Sequence, residues 1–520
     1  MKGRVIAAKC FIILIVASSA SNVVLGNETE AIEERCDQTP HPGQCKTLLI
    51  QHPSTNRPIQ SATQFLEVSV ERTLDGALKA RSDTYSLGAQ FDSKQAWEDC
   101  MELYDQTIHR LNESVSCPVN VCSRSDVQAW LSTALTNLDT CRQGMSLLGG
   151  VSSGSLQSML QSITIDVINA LAINKVTLTE TNGNVFGALG INGMRKPSTG
   201  KRVDAVVAKD GSGDYKTIQE AVDAAGQRPK GSRRYVIHVR QGVYEEYVTV
   251  GINSNNVMII GDGIGKTIIT GDKSNARGFS TYKSATFVAE GDGFVARNLT
   301  IRNTAGPESL QAVALRSNSD RSVFYRCSIQ GYQDTLYVHS GRQFFRQCDV
   351  YGTVDFIFGN AASLFQNCRI FARYPPNGVN TITAQGRVNL NQTTGIVIHN
   401  SVVREAPGAQ LGRRGVRTYL GRPWKEYARM VVMETYLDRL VDPKGWLDWN
   451  HSTSFRRTLY YGEYRNTGPG SGTENRVDWA GFHVISDIEE ARQFTLPEFV
   501  GAASWLPATK VPFTPSSISD

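Results

Sequence analysis

Two segments of the chain, FYRCSIQGYQD (324–334) and FRQCDVYGTVD (345–355), repeat one another at a shift of 21 residues. Phe324, Cys327 and Asp334 recur as Phe345, Cys348 and Asp355. A third copy, FQNCRIFARYP (365–375), holds the frame with Phe365 and Cys368 a further 20 residues along, but carries Pro375 where the aspartate falls in the other two. Repeats this short, with apolar positions set between turn residues, fold by stacking on their neighbours, as the coils of a parallel β-helix do. Equivalent positions on adjacent coils then lie one strand spacing apart, ~4.8 Å. Asp334 and Asp355 become neighbours, and two carboxylates so close do not both ionise easily. The repeat therefore predicts a paired acid and base.

A chain of 520 residues exceeds one ordinary core, so two or more domains are expected. Its start, MKGRVIAAK followed by CFIILIVASSA, reads as a secretory signal (1–26) that is too short to span a bilayer, with cleavage after Ala20 or after Gly26. No membrane span is expected in the mature chain. Asn-x-Ser/Thr sequons at Asn27, Asn112, Asn298, Asn391 and Asn450 are compatible with export and glycosylation. In an oxidising compartment the early cysteines can pair, Cys36 with Cys45 and Cys100 with Cys141. Cys327 and Cys348, stacked one coil apart, fit either a disulfide or a ladder of buried thiols.

Between about Gln60 and Asn174 the apolar residues recur at three and four, as in Leu66, Val70 and Leu74 or Trp97, Met101, Tyr104 and Ile108. This pattern predicts an all-α four-helix bundle over 27–180. Residues 181–203 are Gly-rich and then basic, a linker composition. Beyond them come Val/Ile-rich runs broken by Gly, Asn and Asp, among them 235–250, 257–263, 267–272, 285–303 and 394–403. Such runs alone also suit a sandwich; the 20- to 21-residue offset selects an all-β right-handed parallel β-helix over 204–505, followed by a tail at 506–520. The stretch YKTIQEAVDAA (215–225) is expected as a helix capping the first coil.

Residues 204–520 hold 36 Lys+Arg against 30 Asp+Glu, net +6, which leaves −1 in the first 203 residues of a chain at +5. A basic exported domain suits an acidic polymer. Nucleic acid is the competing polyanion, but no nucleic-acid motif accompanies the charge. No H-E-x-x-H or P-loop occurs, and the eight histidines are scattered, so neither a metal nor another cofactor is expected. His339, near the pair in sequence, is read as a fold residue. Chemistry rests on Asp334, Asp355 and two neutral amides, Gln333 beside Asp334 and Gln311 about one coil earlier, which can receive an oxyanion.

The blocks GVYEE (242–246), QAVAL (311–315), GYQDTLY (331–337), GTVDFIFGNA (352–361) and YLGRPW (419–424), in this order, resemble the signature blocks of plant pectin methylesterases. The helical first half resembles the pectin methylesterase inhibitor family. The resemblance implies Asp355 as nucleophile, Asp334 as proton donor, Gln311 and Gln333 as stabilisers of the tetrahedral intermediate, and Thr281, Gln311, Arg422 and Trp424 as substrate contacts. It implies hydrolysis of methyl-esterified homogalacturonan in the cell wall, with possible intramolecular contact between the inhibitor-like and catalytic halves. Arg422 beside Asp355 favours the carboxylate there, while the like charge keeps Asp334 protonated. Two other readings compete: another β-helical pectin-degrading enzyme, and a binding or inhibitor protein with a silent catalytic half. The dibasic-Leu-Leu processing motif common in the family is absent; the linker offers Arg195-Lys196 and Lys201-Arg202 instead.

Overall fold

The computed structural model describes residues 30–50, 59, 61–88, 91, 93–117, 122–148, 154–182, 203–229, 231–450, 452–515 and 518. The expected signal, Asn27, both dibasic pairs and nearly all of the 181–203 linker lie outside them. The chain divides into two compact units, one helical and one that holds the strands and groups with them 93–99 and 143–150, at the ends of two of the helices described next.

In the helical unit, four helices of 23 to 29 residues, Ala62–Ser86, Lys94–Ser116, Arg124–Leu148 and Gly154–Asn182, follow two short ones, 30–37 and Pro42–Ile50. Ser61 caps the first long helix, its hydroxyl accepting the Gln64 N–H. The buried side of that helix, Phe65, Leu66, Val70 and Ala77, follows the predicted spacing, and the helix packs against Gly154–Asn182. Within the latter, Leu156–Val176 is long and apolar enough to cross a membrane by length and composition, and half of it is buried in the protein. Disulfides join Cys36 to Cys45 and Cys100 to Cys141, as the spacing allowed, and Cys117 to Cys122, a pair not anticipated.

In the second unit the described strands form three parallel sheets of eleven, seven and eight strands. Each predicted run of about 16 to 19 residues turns out to hold three short strands rather than one: 235–250 divides into Tyr235–Val239, Gly242–Glu245 and Val248–Val250, one per sheet. The repeat frame is the pairing register. Phe324 pairs with Phe345 and Phe345 with Phe365, and their rings stack at 4.8 and 4.5 Å inside the core. At one corner, residues with left-handed backbone recur coil after coil, Asn298, Arg326, Gln347 and Asn367 among them.

Cys327, Cys348 and Cys368 are buried free thiols. Cys348 Sγ donates to the Phe324 carbonyl at 3.2 Å and Cys368 Sγ to the Phe345 carbonyl at 3.4 Å, so the ladder reading holds over the bridge.

One end of the core and the outer face of one sheet are covered. Helix Ile218–Gly226 caps the first coil as expected, with a capping box between Thr217 and Glu220. The eleven-stranded sheet is buried on its outer face too, because Phe494, Leu496, Phe499, Trp505 and Leu506 pack over Val323, Phe344 and Leu364. Within the segment expected as a C-terminal tail, Thr514 exchanges two hydrogen bonds with Gln366.

Candidate active site

The two repeat aspartates occupy the same corner of adjacent coils. Leu336 pairs with Ile357, 21 residues on, so Asp334 and Asp355, each two residues earlier, share a rung position. Both take left-handed backbone, φ 60° and 50°, which non-glycine residues adopt at a cost and which clusters at functional sites. The turn ahead of Asp355 is tight: a Cβ on Gly352 would lie 2.1 Å from that of Phe356, so only glycine fits.

The surroundings make the pair unequal. Arg422, on strand Arg417–Pro423, donates from Nε to Asp355 Oδ1 at 2.8 Å and from Nη2 to Oδ2 at 2.6 Å. Asp334 receives no such fork. Burial first, and then the Asp355 charge, raise its carboxyl well above the usual range, with Arg422 opposing weakly. These surroundings favour the neutral form of Asp334 beside an ion-paired Asp355.

Gln333 follows Tyr332 at the same turn, and its carbonyl accepts the Ala312 N–H at 3.2 Å, which sets Gln311 on the neighbouring coil next to it. Gln311 Oε1 is buried and accepts no hydrogen bond. This side-chain oxygen is not spent on the backbone around it.

Trp424 sits two residues beyond Arg422. A Cβ on Gly386 would fall 2.9 Å from Trp424 Cε3, so glycine lets the ring lie against the strand. Tyr337, Phe358 and Trp449 surround it, with ring centroids at 6.4, 6.0 and 6.5 Å. The belt continues from Tyr337 to His339 and on to Tyr282, the residue after Thr281. His339 is fully buried between these rings, in keeping with a fold role. Thr281 itself is half-buried in the turn before Tyr282, and no bond ties its side chain to the aspartates.

Three site residues escaped the sequence reading. Trp449 lies under the Arg422 guanidinium, 4.4 Å from Cζ to the ring centroid. Tyr461 is a buried wall whose phenol is pushed well above its ordinary range by burial and then by the Asp355 charge. Thr381 Oγ1 donates to Asp355 Oδ1 at 2.6 Å and accepts the Asp355 N–H at 2.9 Å.

The chain has relatives of known family. Residues 204–503 match the sequence family described as Pectinesterase, and residues 30–173 the one described as Plant invertase/pectin methylesterase inhibitor. The chain belongs to the pectinesterase family. It is 75% identical over 492 residues to the pectinesterase/pectinesterase inhibitor 38 of Arabidopsis thaliana, covering 95% of this chain and 99% of that one. It is 50% identical to Pectinesterase 2 of Citrus sinensis over 96% of this chain and 98% of that one. Among solved structures it resembles the pectin methylesterase from carrot, with TM-score 0.60 and 50% identity, over 62% of this chain and all of that one. A second likeness is to the pectin methylesterase from Aspergillus niger, TM-score 0.50 and 32% identity, over 59% of this chain and 98% of that one. The strand-bearing unit of this pectinesterase is thus the parallel β-helix of that family, and a pectin methylesterase inhibitor-like domain precedes it.

Proposed function

We propose that this pectinesterase hydrolyses the methyl esters of homogalacturonan to pectate and methanol, with Asp355 as nucleophile and Asp334 as acid and then base. The observation that carries the assignment is the bidentate Arg422 fork, which engages one of two stacked aspartates and leaves the other without an ion pair, where burial and the Asp355 charge favour its neutral form. Ionised Asp355 attacks the ester carbonyl. Gln311 and Gln333 donate to the oxyanion as it develops, in a site walled by Trp424 and Tyr337. Asp334 protonates the departing methoxy oxygen, and methanol leaves an acyl-enzyme. Water, deprotonated by Asp334, then cleaves that anhydride and restores both carboxyl groups. Trp424 offers a flat apolar face to a sugar ring or the ester methyl, and Thr281 a hydroxyl further along the polymer.

The preceding domain is read as a four-helix bundle that restrains the right-handed β-helix during secretion to the cell wall. Its match to the inhibitor family supports this, since tethering raises the effective concentration of a weak inhibitor. Release would follow cleavage in the linker near Arg195-Lys196 or Lys201-Arg202.

The test is to incubate the full chain, and separately residues 204–520, with methylated pectin while measuring methanol and new reducing ends. Methanol without chain scission from either form supports the esterase; neither product from either form refutes it. Faster release from 204–520 than from the full chain supports restraint, and equal rates exclude it. Mass analysis of the secreted N-terminus locates processing.

A further inference from the structure

The rung that carries Asp334 and Asp355 continues on the next coil, at Thr381 and not at Pro375. The turn around Tyr374–Gly378 inserts extra residues, and strand Val379–Gln385 resumes the pairing with Ile357 opposite Thr383. Two residues earlier, Asp355 therefore faces Thr381, 26 positions on. The replacement changes the bonding. The Asp334 N–H donates to a main-chain carbonyl of the following coil, that of Val354, at 3.0 Å. The Asp355 N–H donates instead to the Thr381 hydroxyl at 2.9 Å, and this hydroxyl passes its own proton to Asp355 Oδ1 at 2.6 Å. Thr381 is only 1% exposed, so water has little access to compete for that bond.

The two carboxylate oxygens of Asp355 consequently differ. Oδ1 accepts from both Thr381 Oγ1 and Arg422 Nε, at 2.6 and 2.8 Å, which occupies its in-plane lone pairs. Among the described residues, Oδ2 accepts only from Arg422 Nη2, at 2.6 Å. We propose that Thr381 is a positioning residue that locks the Asp355 carboxylate and leaves Oδ2 as the attacking atom. The inference rests on Asp355 being the nucleophile. An Oδ2 lone pair forms the bond to the ester carbon, and collapse of the tetrahedral adduct breaks the bond to methoxide oxygen, which takes the Asp334 proton and leaves as methanol. Water oxygen next bonds to the same carbon as the Oδ2–carbon bond breaks, and the water proton returns to Asp334. Throughout, Oδ1 keeps its two donors, so the carboxylate need not rotate between steps.

The test compares T381V, T381A, T381S and D355N in the full-length enzyme secreted from a plant host, by methanol release on pectin and by thermal melting. Removing the hydroxyl while keeping its volume should lower kcat by about 10- to 100-fold, the scale of a misaligned reacting group, with KM within about twofold. T381S should recover most of that loss. T381V at wild-type kcat, a loss confined to KM, or T381S as slow as T381V would each overturn the assignment. If T381V does not fold, T381A against T381S makes the same comparison. Activity retained in D355N refutes the nucleophile instead, whereas a dead D355N beside a fully active T381V refutes only the role of Thr381.

Discussion

Asp334 and Asp355 stand on the same rung of adjacent coils, both with left-handed backbone, yet Arg422 bonds Asp355 alone, through two hydrogen bonds of 2.8 and 2.6 Å. One residue type at two equivalent positions thus meets two environments: an ion pair at Asp355, and at Asp334 burial beside that carboxylate, which favours the neutral form.

Replacing Arg422 by lysine keeps the charge but loses the planar fork. The ammonium cannot hold both oxygens in line, so R422K should lower kcat for methanol release by about 100-fold. Retention of more than half the activity would show that charge alone suffices.

Asp334 ties activity to stability in opposite directions. D334N removes the proton donor and should abolish methanol release. Its effect on stability follows from linkage: the folded carboxyl stays protonated where the unfolded one ionises, so the unfolded state binds fewer protons above about pH 4. Wild-type stability then falls as pH rises, by up to ~1.4 kcal/mol per unit, until Asp334 ionises in the folded state. D334N lacks that loss. Its melting temperature should gain on the wild type's as pH rises above about 4, and a pH-independent difference would contradict a raised carboxyl at Asp334.

Gly386 holds space for Trp424. A methyl at 386 would sit 2.9 Å from Cε3 of the indole, so G386A should displace the ring, raise KM on pectin several-fold and shift tryptophan emission. An unchanged KM with a shifted emission would separate Trp424 from substrate binding.

Cysteine chemistry should split by unit. Cys327, Cys348 and Cys368 should resist thiol reagents in the native protein and react only on unfolding, as their full burial demands. In the helical unit, Cys100–Cys141 closes a separation of 41 residues, worth about 4 kcal/mol in the chain-entropy account. C100S/C141S in the full chain should lower the helical transition followed by circular dichroism, and an unchanged transition would contradict that contribution.

The sequence by itself determined the helical first half, the solenoid and the two aspartates, because a coil of 20 or 21 residues writes its register directly into spacing: Phe324, Phe345 and Phe365 stack where the repeat puts them. It determined the signature blocks that carry Gln311, Gln333, Arg422 and Trp424. Only the tertiary structure decided what those residues touch. The turn near Pro375 breaks the spacing, so the rung passes to Thr381 at a distance no repeat encodes. Trp449 and Tyr461 reach the site from later coils, separated from it by turns of unequal length. The cysteine ladder shows the same limit, since stacking places Cys327 and Cys348 within bridging range but the direction of each side chain, toward a neighbouring carbonyl, decides between thiol and disulfide. Periodicity records backbone register, whereas side-chain contacts across coils depend on turns that periodicity does not constrain.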